Sequence, residues 1–400
     1  MLTSPHLHAA TGARVDALTV AVERTPDGLE AHLRAWDELA ADAIDPNPFY
    51  EPYALLAAWR AMRVELEVVL VWAPNPLPAQ PPLLTGLVPL VRHRRYRGAP
   101  VAALATWRHV YAYLGTPLVR AGRAHETLDA LFDWLPSSGA TLLELDDVRG
   151  DGAFRHALVD ALNRRRRHAY TSAIATRAMF RRARDAETYL VAAMGGKKRK
   201  ELRRQERRLA EAGAVAFDEL PREAGAAALD AWIDDYLELE QRGWKGRGGT
   251  ALRDEPAGLA AFRALAHGAH ARGRWMTLAL RLDGRPIAMK CNVRCGDGGV
   301  AYKIAYDEAF ARFSPGVLLE VEHVRRQHEP GGVAWMDSGA AADHPMINHL
   351  WRDRATIETI VVSTGRPGGS LAVAAMPLVR WTARAARDVL RRFQDKATKT

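Results

Sequence analysis

Apolar and polar positions change period along this chain, most clearly between Leu259 and Met336. A helical period over Leu259–Arg272 gives way to alternating runs at Met276–Leu282 and Pro286–Arg294, joined by the turn Asp283-Gly284-Arg285. A second turn, Gly296–Gly299, leads into a strand that ends at Asp307. An amphipathic helix follows from Ser314 to Gln327, and a strand at Val333–Met336 closes the series. The first half repeats this order. It predicts a helix Glu51–Met62, strands Leu66–Trp72 and Leu84–Arg92 around a Pro-rich turn, a strand-like Val110–Val119, a helix His125–Leu135 and a strand Ala140–Asp146. The fold class expected is mixed α/β (α+β) in two tandem units, the alternative being a chance recurrence of the strand and helix alternation common to many folds. Four hundred residues also exceed one ordinary core. The units are expected at 1–180 and 181–370, with a tail at 371–400 and a linker in Met179–Ala186.

The helix opening at Ser314 carries the first candidate chemistry. Ser at the N-cap, Pro at the first helical position and Gly beside it predict backbone N–H groups that face outward, at the positive end of the helix dipole. Such a start seats a phosphate or pyrophosphate, although many Ser-Pro openings bind no anion. Asp337 ends the last strand of the series. Strand ends of this kind border ligand crevices, so Asp337 is a candidate base; its competing role is to cap the Ser338-Gly339 turn. Tyr306 and Asp307 end the preceding strand and are candidates for proton donor and acceptor-binding carboxylate. The run Gly243-Trp244-Lys245-Gly246-Arg247-Gly248-Gly249 reads as an exposed loop, either ordinary or a lid over an acceptor. Lys197–Arg208 sets eight basic residues against two acidic ones on a helical segment anchored by Leu202 and Leu209.

Asp283-Gly284-Arg285-Pro286-Ile287-Ala288, Tyr302-Lys303-Ile304-Ala305-Tyr306-Asp307 and Phe313-Ser314-Pro315-Gly316 together resemble the GNAT acyltransferase superfamily. Within it they are most similar to the CelD/BcsL-like branch linked to cellulose and exopolysaccharide synthesis, a branch related to Fem-type aminoacyl transferases. The resemblance runs from Lys197 to Arg354. It implies two tandem GNAT-like domains, each a mostly antiparallel mixed central sheet flanked by helices, the first degenerate as a cofactor site because its helix opens on Ala124-His125-Glu126. It also implies an acyl-CoA donor, acetyl-CoA or another, with its pyrophosphate at the helix start. Donor contacts are implied at Lys303, Ile304, Ala305, Phe313, Ser314, Gly316, Val317 and Leu318. Acceptor contacts are implied at Trp244, Lys245, His349, Trp351 and Arg352, and the basic helix 197–212 is implied near a phosphorylated ligand. The chain departs from the family's Arg/Gln-x-x-Gly-x-Gly/Ala pyrophosphate loop. The implied activity is N-acyl transfer, in the first instance of acetyl, to an amine of a small molecule or envelope-polysaccharide precursor. The alternatives are Fem-like transfer from charged tRNA and a non-catalytic binding module in an exopolysaccharide system.

A net charge of +9 and a pI near 9.7 suit anionic partners such as CoA, nucleotides or a membrane surface; nucleic acid enters only as tRNA in the alternative. Cys291 and Cys295 fall in or just beyond one strand, which predicts reduced thiols and no disulfide framework. Asp337, Asp343, His344 and His349 match no zinc spacing, so no metal is expected. No apolar run reaches the ~18 residues of a membrane span and the N-terminus lacks a signal core, so a cytoplasmic location is expected. Near the end, Arg380, Arg384, Arg387 and Arg391 oppose Leu378, Trp381, Ala385, Val389 and Phe393. That two-sided helix either packs on the domain or contacts anionic lipid at the inner membrane face.

Overall fold

A computed structural model describes residues 18–77 and 79–379. Their strands are β1 (Thr19–Glu23), β2 (Glu67–Ala73), β3 (Leu83–His93), β4 (Ala103–Thr106), β5 (Leu118–Val119), β6 (Leu142–Arg149), β7 (Ala169–Arg181), β8 (Val215–Asp218), β9 (Trp275–Leu282), β10 (Arg285–Cys295), β11 (Gly298–Tyr306), β12 (Trp335–Asp337) and β13 (Asp353–Ser363). They join one sheet in the order β1-β2-β3-β4-β6-β13-β7-β12-β11-β10-β9-β8, with β5 paired to β3. The fold is mixed α/β, a large mixed sheet flanked by helices.

The two ends of the sheet repeat one plan. From the β1 edge, three antiparallel pairings lead to β4, which runs parallel to β6. From the β8 edge, three antiparallel pairings lead to β11, which runs parallel to β12. The closing strand of each array is exchanged. β7 follows β6 in the chain yet pairs with β12, whereas β13 follows β12 and pairs with β6. The exchanged strands also pair with each other, from Asp353 opposite Met179 to Val362 opposite Ala169. A cut at residue 180 therefore divides the chain without dividing the sheet, and Met179–Arg181, expected as linker, are the last residues of β7.

Strand periodicity sorts the core between the two faces. Val68 and Leu70 of β2, with Met289, Cys291, Val293 and Cys295 of β10, enter a cluster shared by both arrays. There the helices Pro52–Met62, Ala226–Arg242 and Pro256–Ala271 pack together. On the opposite face the second array is covered by the helices Ala186–Ala193, Gly196–Glu211 and Pro315–His328. Leu202 and Leu209 anchor the basic helix, as the apolar pattern requires. Both cysteines are buried thiols, and burial raises the pKa of each.

The strand-like Val110–Val119 is a correction. Only Leu118–Val119 forms a strand; the residues before it run irregularly along the sheet, held by Asn47 Nδ2, which donates to the carbonyls of Leu114 (3.2 Å) and Thr116 (2.9 Å). Gly115 is required there because a Cβ would lie 2.0 Å from the Asp146 carbonyl oxygen. Gly115→Ala is expected to lower stability by about 2 kcal/mol or more, the scale of overpacking against backbone, as measured by urea unfolding. A helix that begins at Gly369 continues to residue 379, and the arginine stripe Arg380–Arg391 lies outside the described residues.

Candidate active site

A bulge in β11 creates the site. Cys291 of β10 faces Lys303 and Asn292 faces Ala301, which leaves Tyr302 as an extra residue without a partner. Bulged strands bend and twist away from their neighbours. β11 and β12 pair only at Gly299 with Met336 and Val300 with Asp337; beyond that point the ladder stops. A cavity of about 740 Å³ occupies the opening, within the usual range for small-molecule sites. Its walls are Tyr302–Tyr306 of β11, Ser338–Ala340 after β12, and Ser314–Val317 at the start of the helix Pro315–His328.

The corresponding gap of the first array is filled by its own chain. The Asp146 N–H donates to Thr106 Oγ1 (2.8 Å), the Gly115 N–H to the Asp147 carbonyl (3.1 Å) and the Arg149 N–H to Thr116 Oγ1 (3.1 Å).

The cavity helix opens differently from the expected N-cap. Ser314 adopts φ 52°, ψ 50°, a left-handed conformation, and its hydroxyl makes no capping bond. Its carbonyl instead accepts from the N–H groups of Val317 (2.9 Å) and Leu318 (3.0 Å). The Gly316 N–H has no protein acceptor among the described residues and belongs to the cavity wall. A backbone held in a sparsely populated region at a cavity is the kind of strain that functional sites retain.

Because β11 is bulged, Tyr302 and Lys303 both face the side of the sheet opposite the cavity helix. The helix Ala226–Arg242 brings Glu240 to that side and Tyr113 joins from the first array, so the cavity connects both faces of the sheet. The Tyr113 hydroxyl donates to the Tyr302 carbonyl at 3.1 Å. Glu240 accepts from Lys245 Nζ (2.7 Å), the Tyr236 hydroxyl (3.2 Å) and the Leu252 N–H (2.9 Å). Burial pushes its pKa up, but the Lys245 charge, the Leu252 N–H and the Lys245 hydrogen bond outweigh it and hold the carboxyl below its ordinary range. Lys303 has no carboxylate within ion-pair distance among the described residues; its Nζ sits over the Tyr111 ring at 4.5 Å. Burial, reinforced by the Lys245 charge, pushes its pKa down to about 8. Between pH 8 and the unfolded value near 10.5 the unfolded chain then holds the extra proton, so this group makes stability rise with pH across that window. The difference in unfolding free energy between the wild type and Lys303→Met is expected to shift toward the wild type from pH 8 to 10, checked by urea unfolding.

Of the residues expected at the site, Tyr306, Lys303, Ile304, Ala305, Ser314, Gly316, Val317, Trp244 and Lys245 line the cavity. Others lie elsewhere. Phe313 and Leu318 are buried in the core beneath the helix. Asp307 caps the short turn Glu308–Phe313 through the Ala309 N–H (3.0 Å) and pairs with Arg285 at 2.5 Å. Asp337 is fully buried: Oδ1 accepts from the Gly339 N–H (2.9 Å), while Oδ2 lies 3.6 Å from Arg177 Nη1 without a hydrogen bond. Its observed contacts are the turn cap and the Arg177 guanidinium. Trp351 is buried beside Phe180 and His323, the Arg352 N–H donates to the Tyr189 hydroxyl (3.3 Å), and His349 sits in a short helical turn away from the cavity wall. Tyr113, Glu240 and His344 line the cavity without having been anticipated there. Glu240 lies one turn after Tyr236 on a clearly amphipathic helix, a usable signal; Tyr113 has none, since its partner is 189 residues away.

Comparison with known families bears on this bulged strand and the helix behind it. Residues 196–344 match the acetyltransferase (GNAT) domain family. The matched segment supplies β11, the start of the cavity helix and Glu240, while Tyr113 comes from outside it. That stretch is thus similar to a GNAT acetyltransferase domain. FemX has a similar fold, with a TM-score of 0.53 at 12% identity over 82% of this chain and 95% of that one. A tandem GNAT protein from the clavulanic acid biosynthesis pathway aligns at a TM-score of 0.41 and 13% identity, over 87% of this chain and 99% of that one. A conserved protein of unknown function from Bacteroides thetaiotaomicron aligns at 0.49 and 11% identity, over 83% and 97%. No curated protein matches the chain in sequence.

Proposed function

We propose that the chain transfers an acyl group from acyl-CoA to an amine, with the reaction centred where β11 parts from β12. The observation that carries this reading is the cavity joining both sheet faces, with the free Gly316 N–H in its wall. A helix start with a bare N–H favours the donor's pyrophosphate. The pantetheine arm would follow the unpaired edge of β11 from Tyr306 toward Tyr302, where backbone N–H groups can polarise the thioester carbonyl. The acceptor amine approaches from the Glu240, Lys245 and Tyr113 side. Lys303, uncharged above about pH 8, takes the proton from the amine. The C–N bond forms, the C–S bond breaks and CoA departs as thiolate. Tyr306 adjoins Gly316 and belongs to the donor's phosphate end, and Trp244 with Lys245 borders the acceptor entrance.

The acceptor we infer is a small molecule or an envelope precursor; its link to exopolysaccharide synthesis rests on the resemblance of the sequence to the CelD/BcsL-like branch. No helix among the described residues is long and apolar enough to cross a membrane, and we take the reaction to be cytoplasmic. The test is calorimetric titration of the full chain with acetyl-CoA, coupled to thiol release in the presence of amines. Saturable heat is expected, and neither heat nor a thermal shift at millimolar donor would overturn the proposal.

A second reading is transfer from charged tRNA, favoured by the basic helix Gly196–Glu211, which packs beside the turn Glu308–Phe313 leading into the cavity helix. Lys197, Lys200, Arg203 and Arg207 line an open concave surface on it, and none of the four has an ion-pair partner among the described residues. Tight, steeply salt-dependent binding of charged tRNA together with no response to acetyl-CoA would favour this reading.

A further inference from the structure

A smaller chamber of about 70 Å³ adjoins the cavity on the side of the cavity helix, sharing Tyr302–Ile304, Ser338, Ala340, His344 and Met346 with it. Its far end is made of Lys290 and Asn292 of β10 and Glu320 of the cavity helix, each at most 3% exposed. Lys290 Nζ meets Glu320 Oε1 at 2.5 Å. The second carboxylate oxygen, Glu320 Oε2, and Asn292 Oδ1 are both buried without any hydrogen-bond partner. Lys290 has three N–H donors and uses one of them on Glu320. Buried polar groups of this kind are costly unless something satisfies them, so the chamber is built for an occupant that both donates and accepts.

The position of the chamber says which part of a ligand reaches it. The ladder between β11 and β12 closes at Val300 and Asp337, and Ala301, Tyr302 and Ser338 at that apex line the chamber. The mouth is at Gly316, and the cavity helix runs back from it toward the apex, with Glu320 about 6 Å further along its axis. A donor held by its phosphates at the mouth and extended along β11 delivers its acyl group here. Charge selects further. Lys303 and His344 border the chamber where it joins the cavity, and at the far end Lys290 and Glu320 sum to zero: an acyl ammonium there would be repelled by the lysine, an acyl carboxylate by the glutamate, and a plain alkyl chain would leave the orphaned oxygens unmet. The chamber has about a tenth of the cavity's volume, so it admits only a short chain.

We propose that this chamber is an acyl-group subsite selecting short acyl chains that carry a neutral hydroxyl over alkyl chains of the same size. The inference rests on the acyl-CoA reading above. Its test is calorimetric titration of the full chain with free CoA and with an isosteric pair, 3-hydroxypropanoyl-CoA and butanoyl-CoA. The hydroxylated donor is expected to bind at least tenfold more tightly, because a site built to hydrogen-bond a hydroxyl rejects the analogue lacking it. Lys290→Met combined with Glu320→Leu is expected to reverse that preference while leaving free CoA affinity within threefold. Equal affinity of the wild type for the two donors, with free CoA bound, overturns the subsite and leaves the acyl-CoA reading standing. No binding of free CoA or either donor overturns both. Should the double variant fail to fold, the wild-type comparison decides alone.

Discussion

Gly316→Glu is expected to weaken donor binding on the order of a hundredfold while leaving the fold intact. A Cβ at Gly316 meets Tyr306 Cδ1 at 3.5 Å and Met346 Sδ at 3.7 Å, both ordinary contacts, so the substitution has room. The carboxylate then enters the wall that is proposed to face the pyrophosphate and repels it. A hydrogen bond to a charged group contributes about 1.5–3 kcal/mol, and each 1.4 kcal/mol is about tenfold, so losing it and adding repulsion reaches that scale. Gly316→Ala, which adds a methyl and no charge, is expected to lose less than tenfold. Titration with acetyl-CoA alongside thermal melting separates binding from folding. Undiminished affinity in Gly316→Glu would mean that the phosphates sit elsewhere.

The second large effect concerns the buried pair. Glu320→Leu strands the Lys290 ammonium in a site 1% exposed, and breaking such a pair from one side costs about 3–5 kcal/mol. Burial already pushes the Lys290 pKa down, with the Glu320 charge opposing it, so removing Glu320 depresses it further. The unfolded chain then keeps a proton that the folded variant gives up. The deficit is therefore greatest near neutral pH and shrinks as pH rises toward the ordinary lysine value of about 10.4. Urea unfolding at pH 7 and again in mildly alkaline buffer reads both the size and the sign. Adding Lys290→Met to Glu320→Leu is expected to recover most of the loss, since an apolar pair of similar volume replaces an ionic one at little net cost. A single variant as stable as the double would show that the lysine finds another partner or water.

Periodicity made the second array legible: β9, β10, β11, the cavity helix and β12 all lie where alternating and helical patterns put them. The helix start at Ser314 was visible too, although through Gly316 rather than a serine cap. What stayed hidden was non-local. β7 mixes small and polar residues, Ala169-Tyr170-Thr171-Ser172-Ala173, in a stretch that pairs with β13 alone, because β12 meets β7 only at Met179–Arg181. Asp337 stands at a strand end as its position in the sequence predicts, and the exchanged β7 brings Arg177 against it, a neighbour that no local pattern shows. The bulge at Tyr302 leaves no mark in composition, yet it turns Lys303 to the acceptor side and lets β11 leave β12.

The swap of β7 and β13 also constrains how the molecule is made. On a ribosome, residues 19–149 emerge early, but the neighbour that completes their sheet, Asp353–Ser363, is translated more than two hundred residues later. Until then β6 offers a bare strand edge, the kind of surface that recruits stray chains. Neither array can finish by itself, so maturation waits for the last strand and the nascent protein depends on shielding of that edge throughout synthesis.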